Sequence, residues 1–205
     1  MLKRFLSFLL DLLASPRRTQ QQVRALTLAE LEPLLLRSQT GLLPYQDTRV
    51  RALVWEVKYY ADPHAAHLCG ILLADALVAI AAESIGKPLV VPIPMHKTRR
   101  RARGHNQTEV LCEAALPYAA DFFEYRPDVL ARTRNTPPQQ GLQKHIRSTN
   151  LEGSMQVTDV GSVAGRVCIV VDDVSTTGAT FTEARRALLA GGARHVVPLA
   201  LAQTI

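Results

Sequence analysis

The stretch Val170-Val171-Asp172-Asp173-Val174-Ser175-Thr176-Thr177-Gly178-Ala179-Thr180 decides how this chain folds. An apolar β-branched run, Arg166–Val171, reads as a buried strand that ends in two adjacent carboxylates. A hydroxyl-rich turn with one glycine then opens a helix predicted from about Gly178 to Ala190. Gly191-Gly192 ends that helix, and HVVPLAL at 195–201 reads as a final strand. Strand–helix–strand alternation predicts an α/β domain with a mainly parallel β-sheet flanked by helices. In such sheets ligands bind beyond the carboxyl ends of the strands. The free N–H groups of the turn and the helix dipole favour an anion, and Ser175, Thr176, Thr177 and Thr180 add hydroxyl donors. Gly178 lets the backbone approach a ligand closely. Asp172 and Asp173 would repel a bare phosphate, but a ligand that also donates hydroxyls satisfies them. A phosphorylated sugar has both features. Two plainer readings compete. Thr177 or Thr180 would merely cap the helix, with the aspartates solvated. Alternatively the strand is the acidic strand of an NTPase, which needs a GxxxxGK[ST] loop that this chain does not contain.

Upstream, Asp47 caps a predicted helix running to about Tyr59. Ala61-Asp62-Pro63 ends it and starts the next, over residues 64–82. Leu89–Pro94 (LVVPIP) reads as a second buried strand. A loop and a helix from about Gln107 to Leu116 follow, then a weaker strand near 128–132. Residues 133–153 read as a long loop, and such loops in small domains are commonly functional. Before residue 48 the chain is Leu- and Gln-rich with no strand pattern, and Thr27–Glu30 has the form of a capping box.

Two further stretches carry charge. Five of the seven residues from Lys97 to Arg103 are basic, in a predicted strand–loop–helix unit. Arginine forks match phosphate oxygens bidentately. A solvated basic turn and a nucleic-acid patch are the competing readings. The second lacks local aromatic partners, because no Phe, Tyr or Trp lies between Lys97 and Gln107. The other stretch, Leu130–Asn150, places Arg132, Arg134, Lys144 and Arg147 in the long loop.

The acidic stretch resembles the phosphoribosyl pyrophosphate (PRPP) motif of type I phosphoribosyltransferases: hydrophobic strand, acid pair, Thr-Gly-x-Thr phosphate loop. The order WEVKYYADP, VVPIPMHKTRRRARGHNQ, ARTRNTPPQQGLQKHIRSTNLEG, VVDDVSTTGAT resembles the ComF-like competence-protein family over roughly residues 42–203. The resemblance implies a single Rossmann-like type I phosphoribosyltransferase domain over 42–205, behind a helical N-terminal region, 1–41. It implies that Asp172 and Asp173 hold the ribose hydroxyls. Val174, Ser175, Thr176, Thr177, Gly178, Ala179 and Thr180 would hold the 5′-phosphate. His96, Lys97, Arg99, Arg100, Arg101, Arg103 and Gly104 would hold pyrophosphate. Arg132, Arg134, Lys144 and Arg147 would belong to a flexible loop closing over the site, with Arg147 among the catalytic groups. Mg2+ would be held largely by substrate oxygens, with Asp172 or Asp173 reached directly or through water. Many family members carry an N-terminal cysteine zinc ribbon, where this chain has Arg17, Arg18, Thr19 and Gln20, so no zinc is expected. Purine-salvage members place an acid two residues before the loop glycine, where this chain has Thr176. The acceptor is therefore left open. The resemblance also implies a second role, non-catalytic DNA uptake through single-stranded DNA or a competence helicase.

Composition bounds the rest. At 205 residues, 47% hydrophobic and 20% charged, the chain is neither disordered nor a disulfide scaffold. Lys and Arg outnumber Asp and Glu by 24 to 18, for a formal charge of +6. The Lys97–Arg103 stretch holds five of those charges, so the remainder is close to neutral. Cys69, Cys112 and Cys168 lie far apart with no CxxC pair, as buried thiols in a reducing compartment do. Leu2, Phe5, Leu6, Leu9, Leu12 and Leu13 recur at helical spacing, beside Lys3 and Arg4. That pattern reads as an amphipathic helix docked on the body or on a membrane surface rather than a signal peptide or a transmembrane span. A cytoplasmic location is expected, and a homo-oligomer is left open.

Overall fold

The computed structural model describes residues 18–38, 40–134 and 152–205. Its centre is a five-stranded, all-parallel sheet. The strands are β1 (Gly41–Pro44), β2 (Leu89–Pro92), β3 (Glu124–Tyr125), β6 (Val167–Ser175) and β7 (His195–Gln203), in the order β1-β7-β6-β2-β3. A separate antiparallel ribbon joins β4 (Leu130–Arg132) to β5 (Met155–Val157), with Arg132 opposite Met155. The helices that shape the site are α1 (Leu28–Leu31), α2 (Thr48–Tyr60), α3 (Pro63–Ala82), α4 (Lys97–Arg103), α5 (Gln107–Ala119), α6 (Val160–Val163) and α7 (Ala179–Ala190).

Period-2 alternation along the strands builds two cores, one on each face of the sheet. Val90, Ile169, Val171 and Leu201 face the layer formed by α2, α3 and α5. Leu89, Val91, Cys168, Val170 and Ala200 face α7 and the ribbon. The chain leaves β2 toward β3 and leaves β6 toward β7, in opposite directions across the sheet. The adjacent strands β2 and β6 therefore form a topological switch point, and their carboxyl ends open a crevice.

Local chemistry sets the element boundaries. Asp47 caps α2 by accepting from Arg49 N at 2.8 Å. Ala61 takes the left-handed conformation, φ 47°, and closes the helix with bonds to Glu56 O and Val57 O. Asp62 then accepts from His64 N and Ala65 N, and Pro63 starts α3. α3 is long and apolar enough to cross a membrane, but here it is a core helix. Gly70 lies so close to the Ala114 carbonyl of α5 that no Cβ fits. The three cysteines are free and buried, as expected.

Three strands, β1, β3 and β5, have no counterpart in the sequence reading. β1 lies in a segment without alternation, and it gains order by pairing Gly41 with Ala200 on β7. β3 is only two residues long and pairs with β2. The predicted strand near 128–132 is present as β4, and its partner β5 was not foreseen. The expected capping box is formed, with Thr27 N donating to Glu30 Oε2 at 2.9 Å. Residues 1–17, with the expected amphipathic helix, lie outside the described residues.

Candidate functional site

The acid pair lies inside strand β6, not after it. β6 continues to Ser175, held in register by Asp172 opposite Ala200, Val174 opposite Ala202 and Ser175 opposite Gln203. Neighbour β7 extends equally far, so pairing carries the strand through residues of poor strand propensity. Asp172 and Asp173 are 7% and 8% exposed. Asp172 Oδ1 accepts from Asp173 N, and Asp173 Oδ1 accepts from Val174 N, both at 2.9 Å. Burial, reinforced by the neighbouring Asp173 charge, pushes the Asp172 carboxyl well above its ordinary range, with Arg132 opposing. Asp173 Oδ2 is buried with no hydrogen-bond partner among the described residues. The Lys58 ammonium stands 3.9 Å from it.

The turn after the pair is anchored from β7's end: Thr204 N donates to Ser175 O at 3.0 Å. Thr176 and Thr177 are exposed. Gly178 takes φ 74° as the N-cap of α7 and supplies no capping side chain, so the first turn keeps most of its N–H groups unclaimed. Thr177 Oγ1 accepts from Ala179 N at 3.4 Å, a long bond. The capping alternative therefore explains one N–H and leaves the others available, and the aspartates are buried rather than solvated. Val174, Ser175, Ala179 and Thr180 are half-buried around this turn.

The basic stretch is not a loop. Lys97–Arg103 forms α4, with the His96 ring accepting from Thr98 N at 3.3 Å. Gly104, φ 89°, ends it with N–H to Arg100 O at 2.8 Å. Asn106 and Thr108 both donate to Ile93 O, at 3.1 and 2.7 Å, tying α5 to the end of β2. Arg100 is held by Glu109 at 2.5 Å, and Arg103 donates to Gln107 at 2.6 Å. Burial, with Arg103 nearby, lowers the Arg99 guanidinium.

The ribbon brings one loop arginine to the acids. Arg132 Nε donates to Pro94 O at 3.2 Å, and its charge is felt at Asp172. Burial lowers the Arg132 guanidinium, and Asp172 works against that. Arg134 instead donates to Glu152 O. Lys144 and Arg147 lie outside the described residues. β5 is locked to α7 by buried Glu183, which accepts from Met155 N at 2.9 Å and pairs with Arg186 at 2.8 Å. Burial alone would raise Glu183, but the Arg186 and Met155 bonds outweigh it and hold it low.

Lys58 was missed from the sequence. It sits in the last turn of α2, 115 positions before its acidic partner, and no local pattern marks it. Tyr59 is the other surprise, with the Arg103 guanidinium over its ring at 5.2 Å. Among the described residues no group of three or more His, Cys, Asp or Glu forms a metal cluster. The acid pair supplies two hard oxygen donors, and the unpartnered Asp173 Oδ2 suits a cation or a ligand hydroxyl.

The chain that carries this parallel sheet, with its acid pair and open helix N-terminus at the switch point, is similar in sequence to proteins named DNA utilization protein YhgH and Competence protein F. Over 142 residues the chain is 31% identical to DNA utilization protein YhgH of Escherichia coli strain K12, a match covering 69% of this chain and 61% of that protein. The protein of the same name from Salmonella typhi is 32% identical over 144 residues, with the same shares covered. Competence protein F of Haemophilus influenzae is 28% identical over 115 residues, 56% of this chain and 49% of that protein. The chain thus spans less than two thirds of these relatives. No protein-family model matches it. Among solved structures, a hypoxanthine phosphoribosyltransferase from Staphylococcus aureus has a TM-score of 0.39 at 11% identity, covering 68% of this chain and 73% of that one. The phosphoribosylpyrophosphate synthetase of Mycobacterium smegmatis has a TM-score of 0.36 at 19% identity, covering 64% and 33%. At such scores the superpositions carry no argument, and the α/β architecture rests on the parallel sheet itself.

Proposed function

We propose that this domain binds PRPP with Mg2+ and transfers its phosphoribosyl group to a nucleophile. The observation that carries this reading is the buried acid pair, with its unsatisfied Asp173 oxygen, directly before the uncapped N-terminus of α7. Asp172 and Asp173 would accept from the ribose 2′- and 3′-hydroxyls. The N–H groups and hydroxyls from Val174 to Thr180 would hold the 5′-phosphate. The pyrophosphate would lie toward α4, where Lys97, Arg99, Arg101 and Arg103, with His96 and Gly104, supply charge and backbone donors. Arg100 contributes less, because Glu109 already holds it.

In the reaction the bond between ribose C1 and the pyrophosphate oxygen breaks, and its electron pair leaves with pyrophosphate. A bond forms from the nucleophile to C1, and the nucleophile's proton passes to solvent. The residues' part is electrostatic: Arg132, beside Asp172, and the α4 arginines take up charge on the leaving group. Mg2+, when bound, neutralises pyrophosphate charge, and Asp172 and Asp173 fit its donor preference. The reading extends to a phosphoribosyltransferase-like unit over 42–205 and to a cytoplasmic setting, where PRPP would be available.

Titration calorimetry of PRPP with Mg2+ tests binding: heat with micromolar to millimolar affinity is expected, and a folded protein giving none overturns it. A screen for PRPP consumption against a metabolite library then tests transfer and identifies the nucleophile. The relatives' printed names, DNA utilization protein and Competence protein F, support a second reading in which the fold serves DNA uptake without catalysis. PRPP binding with no consumption against any acceptor favours that second reading.

A further inference from the structure

Each buried acid of the β6 pair meets a cation from another part of the chain: Arg132 on the ribbon for Asp172, and Lys58 in the last turn of α2 for Asp173. The two cations engage differently. Arg132 is tied to the backbone, with Nε donating to Pro94 O at 3.2 Å. The Lys58 ammonium stops 3.9 Å from Asp173 Oδ2. That is an ion pair, but it lies beyond the about 2.7–3.2 Å of a hydrogen bond. Asp173 Oδ2 therefore has a counter-charge and no donor: it is buried, with no hydrogen-bond partner among the described residues. Lys58 is held where it stands from two sides. Its ammonium is 5.9 Å from the Tyr59 ring, whose face favours a cation. One residue back, His105 Nε2 donates to Val57 O at 3.1 Å and pins this turn of α2 beside the start of α5.

We propose that Lys58 determines what Asp173 accepts: its ammonium keeps a free divalent cation off the acid pair and leaves Oδ2 open to a ligand hydroxyl. The hydroxyl half rests on the sugar-site reading given above, and the cation half does not. A neutral hydroxyl supplies the missing donor and adds no charge, so it binds beside Lys58 without displacing it. A free divalent cation on Oδ2 would stand next to a fixed positive charge, well inside the screening length of about 8 Å. Arg132 adds a second positive charge near the pair, and Arg99 is close enough to Arg132 to oppose its charge. At most two negative charges thus face two positive ones, and a free cation finds no net attraction. A metal then enters only with a ligand whose own phosphates offset its charge. Lysine suits this task better than arginine. Its ammonium acts as a compact point charge, whereas a guanidinium fork would bond to Oδ2 and close the acceptor.

The test uses the full chain and two probes. Mn2+ alone reports on cation binding, read by electron paramagnetic resonance of the free ion. Ribose 5-phosphate in the presence of a chelator reports on the hydroxyl acceptor, read by calorimetry. Lys58→Met should bind Mn2+ about tenfold more tightly than the wild type. Adding Asp173→Asn to it should remove that gain. Lys58→Gln repeats the measurement if the methionine variant does not fold. Lys58→Arg should exclude Mn2+ as the wild type does, yet take ribose 5-phosphate about tenfold more weakly, because its fork occupies Oδ2. A lysine with a merely structural role gives no gain in Mn2+ affinity when it is removed. Unchanged Mn2+ affinity in the neutral variant overturns the proposal, as does a gain that survives Asp173→Asn. Undiminished ribose 5-phosphate binding by Lys58→Arg overturns the open acceptor. If neither ribose 5-phosphate nor PRPP binds any variant while the Mn2+ gain is present, the sugar-site reading falls and the exclusion of cations by Lys58 stands.

Discussion

Two strand–turn–helix units flank the crevice, and they use charge in opposite ways. After β6 the charges are acidic, few and buried, and the helix that follows is opened by a glycine without a side-chain cap. After β2 they are basic and numerous, and most are exposed on a short helix capped by His96. Burial makes each acidic group strongly dependent on a distant partner, Lys58 or Arg132, because a desolvated charge cannot be left alone. Exposure makes each basic group nearly independent, since water solvates it wherever it points. The acidic unit therefore behaves as a fixed receptor and the basic unit as an adjustable field.

Substitutions test that contrast, and the acidic side should respond most. Asp173→Asn removes the unsatisfied buried oxygen's charge. It should weaken Mg2+-dependent PRPP binding by about a hundredfold in calorimetry, the scale of a lost charged hydrogen bond. Unchanged affinity would show that the acid pair is not a ribose clamp. Lys58→Met strands the Asp173 charge. Because Lys58 is partly exposed, the expected loss is about 1–2 kcal/mol in urea unfolding, below the value for a fully buried pair. Adding Asp173→Asn to that variant should recover most of the loss, and additive losses would break the pairing.

Asp172 gives a smaller, pH-dependent effect. Its folded value is raised, so the stability it contributes is fully present below its unfolded value near 3.8 and is lost as pH rises through the folded value. Asp172→Asn should flatten that fall in thermal melts and be the more stable protein at alkaline pH. Cation-dependent ligand binding should strengthen with rising pH in the wild type as this proton leaves. Gly178→Ala, forced into φ 74°, should cost about 1 kcal/mol of stability. On the basic side, Arg100→Ala breaks an exposed pair with Glu109 and should change stability by less than about 1 kcal/mol. A larger loss there would mean that α4 is as preorganised as the acidic unit.

Much of the frame was legible in the residues. Caps at Asp47 and Asp62 and buried runs at 89–92 and 167–171 act through near neighbours, and local patterns report near neighbours well. β1 and β3 were not legible, because each is short and exists by pairing with a strand distant in sequence. The basic stretch read as a loop because five like charges suggest solvation. Its helix depends on the His96 cap, the Gly104 stop and the Glu109 and Gln107 partners on α5. The objection that this stretch lacks aromatic neighbours held along the chain and failed in space, where Tyr59 meets Arg103.

By itself the sequence determined the β6–α7 unit: the acid pair, the hydroxyl turn and its glycine are contiguous, so their chemistry is local. It also determined that the positive excess is concentrated in one segment. Only the tertiary structure decided what balances and borders those charges. Lys58 and Arg132 reach the acids, and Tyr59 and Trp55 reach the arginines, because parallel crossovers bring chain ends that are far apart in sequence to one edge of the sheet. Burial sets which carboxyl keeps its proton, and burial is a property of the packed fold that no residue carries alone.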